Sequence, residues 1–184
     1  QNDPNIPAWK KSQQFLKDHK NVYIETGSDN TGNILTMENF SFCKETYGST
    51  MNLVTADGGF DFSMDFNKQE INIAKLLFAQ ICYALVLQKK NGTFVLKIFD
   101  CFMNHSIDIL YILSSFYEKE YISKPNTSRY ANSEKYIICK DFSMKHNYVQ
   151  IIDRLCLNFQ DLSKQQLCQI FSFEMNSYFL SKNL

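Results

Sequence analysis

Apolar runs and polar breaks divide the chain near residue 50. Residues 1–50 are mostly polar, and their only expected helix spans Ala8–Asp18. Residues 52–56 then form a short apolar run that stops at an aspartate followed by two glycines, residues 57–59. A strand ending in this way places its acid at the carboxyl edge of a sheet, where α/β proteins keep their sites.

A long helix is predicted after this strand. Asn67 and Glu70 resemble the N-cap and N3 residues of a capping box, and apolar residues then recur at helical spacing. The helix is expected to end at Lys89–Gly92, because lysines and a glycine are typical of a helix C-terminus. Thr93–Phe99 is apolar on both faces except at Lys97, so it predicts a central strand.

The remaining pattern completes the order β-α-β-α-β-loop-β. A helix is expected over Ser106–Tyr117, a strand over Glu120–Ser123, a loop over Lys124–Ser133 and a last strand over Lys135–Cys139. This order is typical of the second half of a doubly wound sheet, and the last two strands are expected to pair antiparallel.

The tail, residues 146–184, predicts two helices that pack on the core, or else a surface for a partner or a second copy. The first helix contains Ile151, Ile152, Leu155 and Leu157. The second is expected to begin at Ser163 and to place apolar residues on one face, namely Leu167, Ile170, Phe171, Met175 and Phe179.

The composition predicts a protein with one hydrophobic core, free cysteines and no membrane span. The chain has 184 residues, 45% of them hydrophobic, which is enough for one core. Its 19 basic and 19 acidic residues balance, so any nucleic-acid contact is expected in a local patch. The six cysteines form no CxxC pair, which predicts free thiols in a reducing compartment and no metal site. No membrane span or signal peptide is expected, so we expect a cytoplasmic protein.

Three ionisable residues stand out by position. Asp57 ends one predicted strand, Lys97 lies inside another, and Glu134 directly precedes the last. A buried lysine needs a partner unless it functions by losing its proton. The two carboxylates are natural partners, so the pattern alone favours a structural ion pair over a functional site.

Three sequence blocks carry a resemblance to a known family. They are Val54-Thr-Ala-Asp-Gly-Gly-Phe60, Phe94-Val-Leu-Lys-Ile-Phe-Asp100 and the stretch from Lys124 to Cys139. Together they resemble the FtsJ-like RNA methyltransferases, and within them the adrift-type cap ribose 2′-O-methyltransferases, over about residues 32–141. Asn-, Lys-, Ile- and Phe-rich composition also favours an AT-rich, viral genome.

The resemblance implies a fold and a domain organisation. The fold is a Rossmann-like doubly wound α/β sheet, of which this chain supplies the second half, with a helical C-terminal extension. The expected parts are an N-terminal segment, 1–50, with a cofactor-side loop at 27–34; a catalytic half-domain, 51–145; and the extension, 146–184.

The resemblance also implies a catalytic site. The family uses a Lys-Asp-Lys-Glu tetrad, in which Asp57, Lys97 and Glu134 match the last three members. The first lysine and the family's glycine-rich cofactor loop have no counterpart in this sequence, so an upstream segment of the same protein is expected to carry them.

The cofactor implied by the family is S-adenosylmethionine. Asp57, Gly58 and Asn33 match positions on its side of the site, although relatives carry Asp where this chain has Asn33. The implied substrate is capped mRNA, methylated on its first transcribed nucleotide. Its contacts are expected in the polar loop, at Lys124, Ser128, Arg129 and Ser133, whose hydroxyl and cationic groups suit phosphate.

Several alternatives stay open. Gly58 and Gly59 either admit a ligand close to the backbone or form a tight turn. Phe60 and Phe62 either stack on a base or cover the core, and Trp9 either packs or binds the cap. The whole domain is alternatively an inactive RNA-binding scaffold, or a methyltransferase of ribosomal or transfer RNA. A homodimer and other capping proteins are further expected partners.

Overall fold

The computed structural model describes residues 12–59, 69–144 and 148–160, together with residues 170, 171, 177, 179 and 181. The elements in chain order are α1 (Gln13–Asp18), α2 (Met37–Tyr47), β1 (Met51–Ala56), α3 (Gln69–Leu87), β2 (Gln88–Ile98), α4 (Asn104–Phe116), β3 (Tyr117–Ser123), β4 (Lys135–Phe142) and α5 (Tyr148–Gln160). The predicted order of strands and helices from residue 51 to residue 142 is therefore confirmed.

The four strands form one mixed sheet in the order β1-β2-β4-β3. β1 and β2 pair parallel, whereas β4 pairs antiparallel with both β2 and β3. The predicted antiparallel pairing of the last two strands is confirmed. Because β4 runs opposite to β1 and β2, its first residue lies at the edge of the sheet where those two strands end.

The central helix α3 organises the core. Its side chains from Ile73 to Val86 are nearly all buried, on every side of the helix. A helix that is apolar all round belongs inside a protein, and α3 contacts β1, β2, α2, α4 and α5. Among the described residues, no helix is long and apolar enough to cross a membrane.

The predicted helix end at Lys89–Gly92 is wrong. α3 ends at Leu87, and β2 begins at the next residue. The four residues form an irregularity at the start of β2, where the register with β1 shifts and Asn91 adopts φ 65°. A Cβ on Gly92 would lie 2.8 Å from Nε2 of Gln88, so the close backbone approach requires glycine.

The N-terminal segment contains a helix that the pattern did not predict. α2 buries Asn39, Phe40 and Cys43 and packs against α3. Its apolar residues are few and are mixed with polar ones, so helical periodicity is weak. The helix expected over Ala8–Asp18 is observed as α1 in the last part of that range.

The other boundaries differ from expectation by a few residues. The predicted helix over Ser106–Tyr117 is α4, which begins and ends slightly earlier, so Tyr117 opens β3 instead. β4 extends beyond the predicted Cys139. Uncertainty of this size is usual at element ends.

The tail agrees with expectation in part. α5 confirms the first helix, and it buries Ile152, Leu155 and Phe159 against the core. Ile170 and Phe171 were expected on a second helix, but neither is helical. Their backbone N–H groups instead donate to Oδ2 of Asp108, at 2.6 and 3.2 Å. The expected start of that helix at Ser163 lies outside the described residues.

Candidate active site

The three predicted ionisable residues meet at one edge of the sheet. Asp57 directly follows β1, Lys97 lies near the end of β2, and Glu134 directly precedes β4. Nζ of Lys97 lies 2.8 Å from Oδ1 of Asp57 and 3.6 Å from Oε2 of Glu134. The strand order therefore places one ammonium between two carboxylates.

Lys97 is shielded but remains accessible. Its side chain is 22% exposed, while that of Asp57 is 63% exposed. Burial is the largest single influence on the pKa of Lys97 and lowers it, but the hydrogen bond and charge of Asp57 and the charge of Glu134 together raise the pKa above its ordinary value. Lys97 is therefore a cation at neutral pH in this arrangement.

Tyr136 is a member of this cluster that the sequence did not single out. It is the cross-strand partner of Lys97, and its hydroxyl donates to Oε1 of Glu134 at 3.1 Å. Burial, followed by this hydrogen bond, raises the pKa of Tyr136. A tyrosine two residues after an acid does not by itself indicate a functional residue. Only the strand pairing places Tyr136 beside Lys97.

Gln80 secures the turn after β1. Its Oε1 accepts a hydrogen bond from the N–H of Gly58 at 2.9 Å, and its Nε2 donates to the carbonyl of Leu76 at 3.0 Å. A Cβ on Gly58 would lie 3.1 Å from that Oε1, whereas one on Gly59 would meet nothing within 4 Å. Gly58 is thus required by close packing against α3, and this packing fixes the position of Asp57.

The loop between β3 and β4 is organised by Lys124. Its Nζ donates to the side-chain and main-chain oxygens of Asn132 at 3.0 and 2.8 Å, to the carbonyl of Glu134 at 3.0 Å, and to Oγ of Ser128 at 3.3 Å. Among the residues predicted to contact RNA, Lys124 therefore already has several partners inside the loop. Ser128 and Ser133 are half-buried. Arg129 is exposed.

Asn33 lies in a hydrogen-bonded turn away from this cluster. Its Oδ1 accepts from the N–H of Leu35 at 3.0 Å. Buried Asn39, from α2, holds the turn by donating to Oδ1 of Asp29 at 2.8 Å and to the carbonyl of Asn33 at 3.0 Å. The oxygen of the Asn33 side chain therefore serves the turn.

A cavity of about 370 Å³ lies beside this turn. Its lining includes Asn33, Tyr47, Met51 and Tyr83, but neither Asp57 nor Lys97. The Tyr83 hydroxyl is buried, and no described residue offers it a hydrogen-bond partner. The described lining of this cavity thus includes the turn but not the lysine cluster.

Other candidate chemistry is limited in the residues that the structure describes. No group of three His, Cys, Asp or Glu there is placed to hold a metal ion. The described cysteines Cys43, Cys82, Cys101 and Cys139 form no disulfide with one another. Trp9, Phe60 and Phe62, for which two roles were open, lie outside the described residues.

The fold is a Rossmann-like α/β sheet, and the candidate site is a lysine held between two carboxylates at the carboxyl edge of that sheet. The fold places the protein in the Rossmann-like α/β class. Residues 9–142 match the model of the FtsJ-like methyltransferase family. This match covers well over half of the chain, and the chain belongs to that family.

Several curated proteins that the chain is similar to are named cap-specific mRNA (nucleoside-2′-O-)-methyltransferases. The chain is 33% identical over 135 residues to the cap-specific mRNA (nucleoside-2′-O-)-methyltransferase 2 of Mus musculus, covering 72% of the chain and 18% of the relative. It is 39% identical over 118 residues to the corresponding methyltransferase 1 of Trypanosoma brucei brucei, covering 63% and 32%. The Dictyostelium discoideum methyltransferase 1 is 38% identical over 140 residues, with 73% and 18% covered. The chain thus spans less than a third of each relative.

Proposed function

We propose that this domain transfers a methyl group from S-adenosylmethionine to the ribose 2′-hydroxyl of the first transcribed nucleotide in capped mRNA. The observation that carries the proposal is Lys97 held between Asp57 and Glu134, at 2.8 and 3.6 Å. The names of the relatives support capped mRNA as the substrate class.

Residues around Asp57 are compatible with a cationic cofactor. When bound, S-adenosylmethionine would supply a methyl group activated by its sulfonium, so that an O–C bond forms in line as the C–S bond breaks and the neutral thioether leaves. One oxygen of Asp57 contacts Lys97, and the side chain is 63% exposed, so a carboxylate faces solvent at the edge of the sheet. Gln80 fixes the backbone just after Asp57.

Lys97 acts on the nucleophile as a fixed positive charge. Because its pKa is raised, it keeps its proton at neutral pH and is a poor base in this state. It stabilises the negative charge that develops on the ribose oxygen as the hydroxyl proton passes to water. Asp57 and Glu134 hold the ammonium in place while this happens.

The RNA is proposed to cross the loop beside this edge. Arg129 is its exposed cation and suits a phosphate contact. Ser128 and Ser133 are proposed as weaker contacts, because both are half-buried. Lys124 contributes mainly by holding the loop, since its ammonium already has four acceptors within 3.3 Å.

The adenosine end of the cofactor is proposed to contact Asn33, together with a segment upstream of this chain. The N–H groups of the Asn33 amide suit an acceptor on adenine. The described lining of the cavity beside Asn33 does not include Asp57, so we propose that a further segment contributes to the cofactor site. Among the described strands β1 pairs with β2 alone, and its other edge is a suitable place for that segment.

The test uses the full-length protein and three RNAs: capped, capped with the first ribose already 2′-O-methylated, and uncapped. We expect labelled methyl transfer from S-adenosylmethionine to the first RNA alone. Equal labelling of the uncapped RNA would refute cap dependence, and labelling of the pre-methylated RNA would assign a different nucleotide. If S-adenosylmethionine fails to bind in calorimetry, the domain is a scaffold with the same fold.

A further inference from the structure

Glu134 is held at both its main chain and its side chain. Its carbonyl accepts from Nζ of Lys124 at 3.0 Å, and its Oε1 accepts from the hydroxyl of Tyr136 at 3.1 Å. Only Oε2 then faces Lys97, at 3.6 Å. Three separate contacts therefore determine where the carboxylate lies.

The Tyr136 contact decides which carboxylate oxygen meets Lys97. The terminal torsion of a glutamate is broad, so an unrestrained carboxylate samples many orientations. Tyr136 and Lys97 are cross-strand partners on the same face of the sheet. The rigid ring of Tyr136 thus ties Glu134 to the position of Lys97.

The Lys124 contact fixes the main chain that carries Glu134. Lys124 directly follows β3 and Glu134 directly precedes β4. A single ammonium at the base of the loop donates to oxygens of Ser128, Asn132 and Glu134. A lysine suits this task because its three donors radiate from one atom, whereas the planar fork of arginine directs its donors differently.

We propose that Tyr136 and Lys124 are positioning residues of the active site, acting on Lys97 through Glu134. The inference rests on the proposed function, because Glu134 matters only if Lys97 does. It gives Lys124 a role other than the direct RNA contact expected from sequence. Neither residue touches the reacting atoms.

The test compares matched pairs of variants in the full-length protein. Tyr136→Phe removes one hydroxyl, and Tyr121→Phe makes the same change on the neighbouring strand of the same sheet. Lys124→Met removes the loop cation, and Lys119→Met removes an exposed lysine paired with Asp141. Tyr136→Phe should lower kcat by about three- to tenfold, as expected for one lost hydrogen bond. Lys124→Met should lower kcat at least as much, because its ammonium contacts four oxygens. The controls should keep wild-type kcat.

A double-mutant cycle separates positioning from general structural damage. In a Glu134→Ala background, neither Tyr136→Phe nor Lys124→Met should lower kcat further, because the group that they position is already gone. KM for RNA should stay unchanged in Lys124→Met. The same fold loss in both backgrounds would overturn the proposal, as would a raised KM with normal kcat, which is the signature of a direct RNA contact.

A second readout does not depend on methyl transfer. The pH titration of the Lys97 Cε signal is followed by NMR in wild type and in the four variants. The midpoint should move to lower pH in Lys124→Met, because a displaced Glu134 attracts the ammonium less. It should also move to lower pH in Tyr136→Phe, where the direct charge effect of Tyr136 on Lys97 is lost as well. It should stay in place in the controls. An unchanged midpoint in both test variants overturns the proposal, whereas a shift without any methyl transfer overturns only the proposed function.

Discussion

The candidate role of Lys97 depends on neighbours that lie at the ends of other strands. A lysine inside an apolar strand predicts carboxylate partners, and Asp57 and Glu134 were identified from their places at strand ends. The structure adds the distances and the direction in which the pKa of Lys97 moves. Neither follows from sequence, because burial and charge oppose each other and their balance depends on geometry.

Glu120, at the outer strand of the sheet, makes stability depend on pH. Burial raises the pKa of its carboxyl to about 7, and its Oε1 has no partner among the described residues. A raised carboxyl pKa favours folding when the group is protonated, so this contribution is complete below the unfolded pKa of about 4.5 and is lost as pH rises through about 7.

We expect Glu120→Gln to remove this pH dependence. Between pH 5 and pH 8, the free energy of unfolding of wild type should fall by about 1 kcal/mol more than that of the variant. This value is already reduced for the partial exposure of Glu120. Urea unfolding at both pH values measures it. Glu118→Gln, an exposed acid on the same strand, is the control. Parallel pH profiles for wild type and Glu120→Gln would contradict the assignment.

At the scale of elements, the turn after β1 depends on contact with α3. Gly58→Ala would bring its Cβ within 3.1 Å of Gln80 and 3.3 Å of Leu76. We expect a loss of about 1–2 kcal/mol in free energy of unfolding, typical of overpacking, together with a lower kcat because Asp57 shifts. Chemical unfolding and methyl transfer measure the two effects.

Gly59→Ala is the matched substitution in the same turn. Nothing lies within 4 Å of its added Cβ, so its free energy of unfolding should equal that of wild type. A Gly58→Ala variant as stable as Gly59→Ala would show that packing against α3 does not constrain the turn. Normal stability of Gly59→Ala with lost activity would instead favour close approach of a ligand.

Elements with strong periodicity were predicted well, and the others were not. α3 and β2 are long and apolar, so their existence followed from pattern. α2 was missed because its buried face includes the polar Asn39, whose partners lie in the loop that precedes the helix. Lys89–Gly92 was misplaced because turn-forming residues mark a break, but not whether it ends a helix or opens a strand.

At the scale of the whole molecule, part of the tail is attached to α4 through Asp108. This buried carboxylate accepts hydrogen bonds from the N–H groups of Ile170 and Phe171. We expect Asp108→Ala to lower the free energy of unfolding by about 2 kcal/mol, because bonds to a charged acceptor are strong. Amide exchange at Ile170 and Phe171 should become faster.

The control for this substitution is Asp153→Ala, which removes an exposed acid on α5. It should change the free energy of unfolding by less than about 0.5 kcal/mol. Unchanged amide exchange at Ile170 in Asp108→Ala would contradict the attachment. The link joins residues more than 60 positions apart, so no local pattern revealed it.

The architecture of the sheet was predicted, whereas the cofactor side was predicted only in outline. Alternating strands and helices led to a doubly wound arrangement, and short connections limit the topology. Asn33 was chosen by resemblance, and the structure places it in the lining of a cavity whose described residues do not include Asp57 or Lys97. Cavities arise from the packing of distant segments, and the buried Tyr83 hydroxyl is visible only once that packing is known.

The most direct test of the account measures methyl transfer to capped RNA by Lys97→Met and Lys119→Met. Both variants lose a lysine that is paired with a carboxylate, but only Lys97 lies at the active edge. We predict that Lys97→Met stays folded, although less stable than wild type because two carboxylates lose their cation, and that its kcat falls by about 10²–10³, while Lys119→Met keeps wild-type kcat. A folded Lys97→Met variant with wild-type kcat would contradict the central claim.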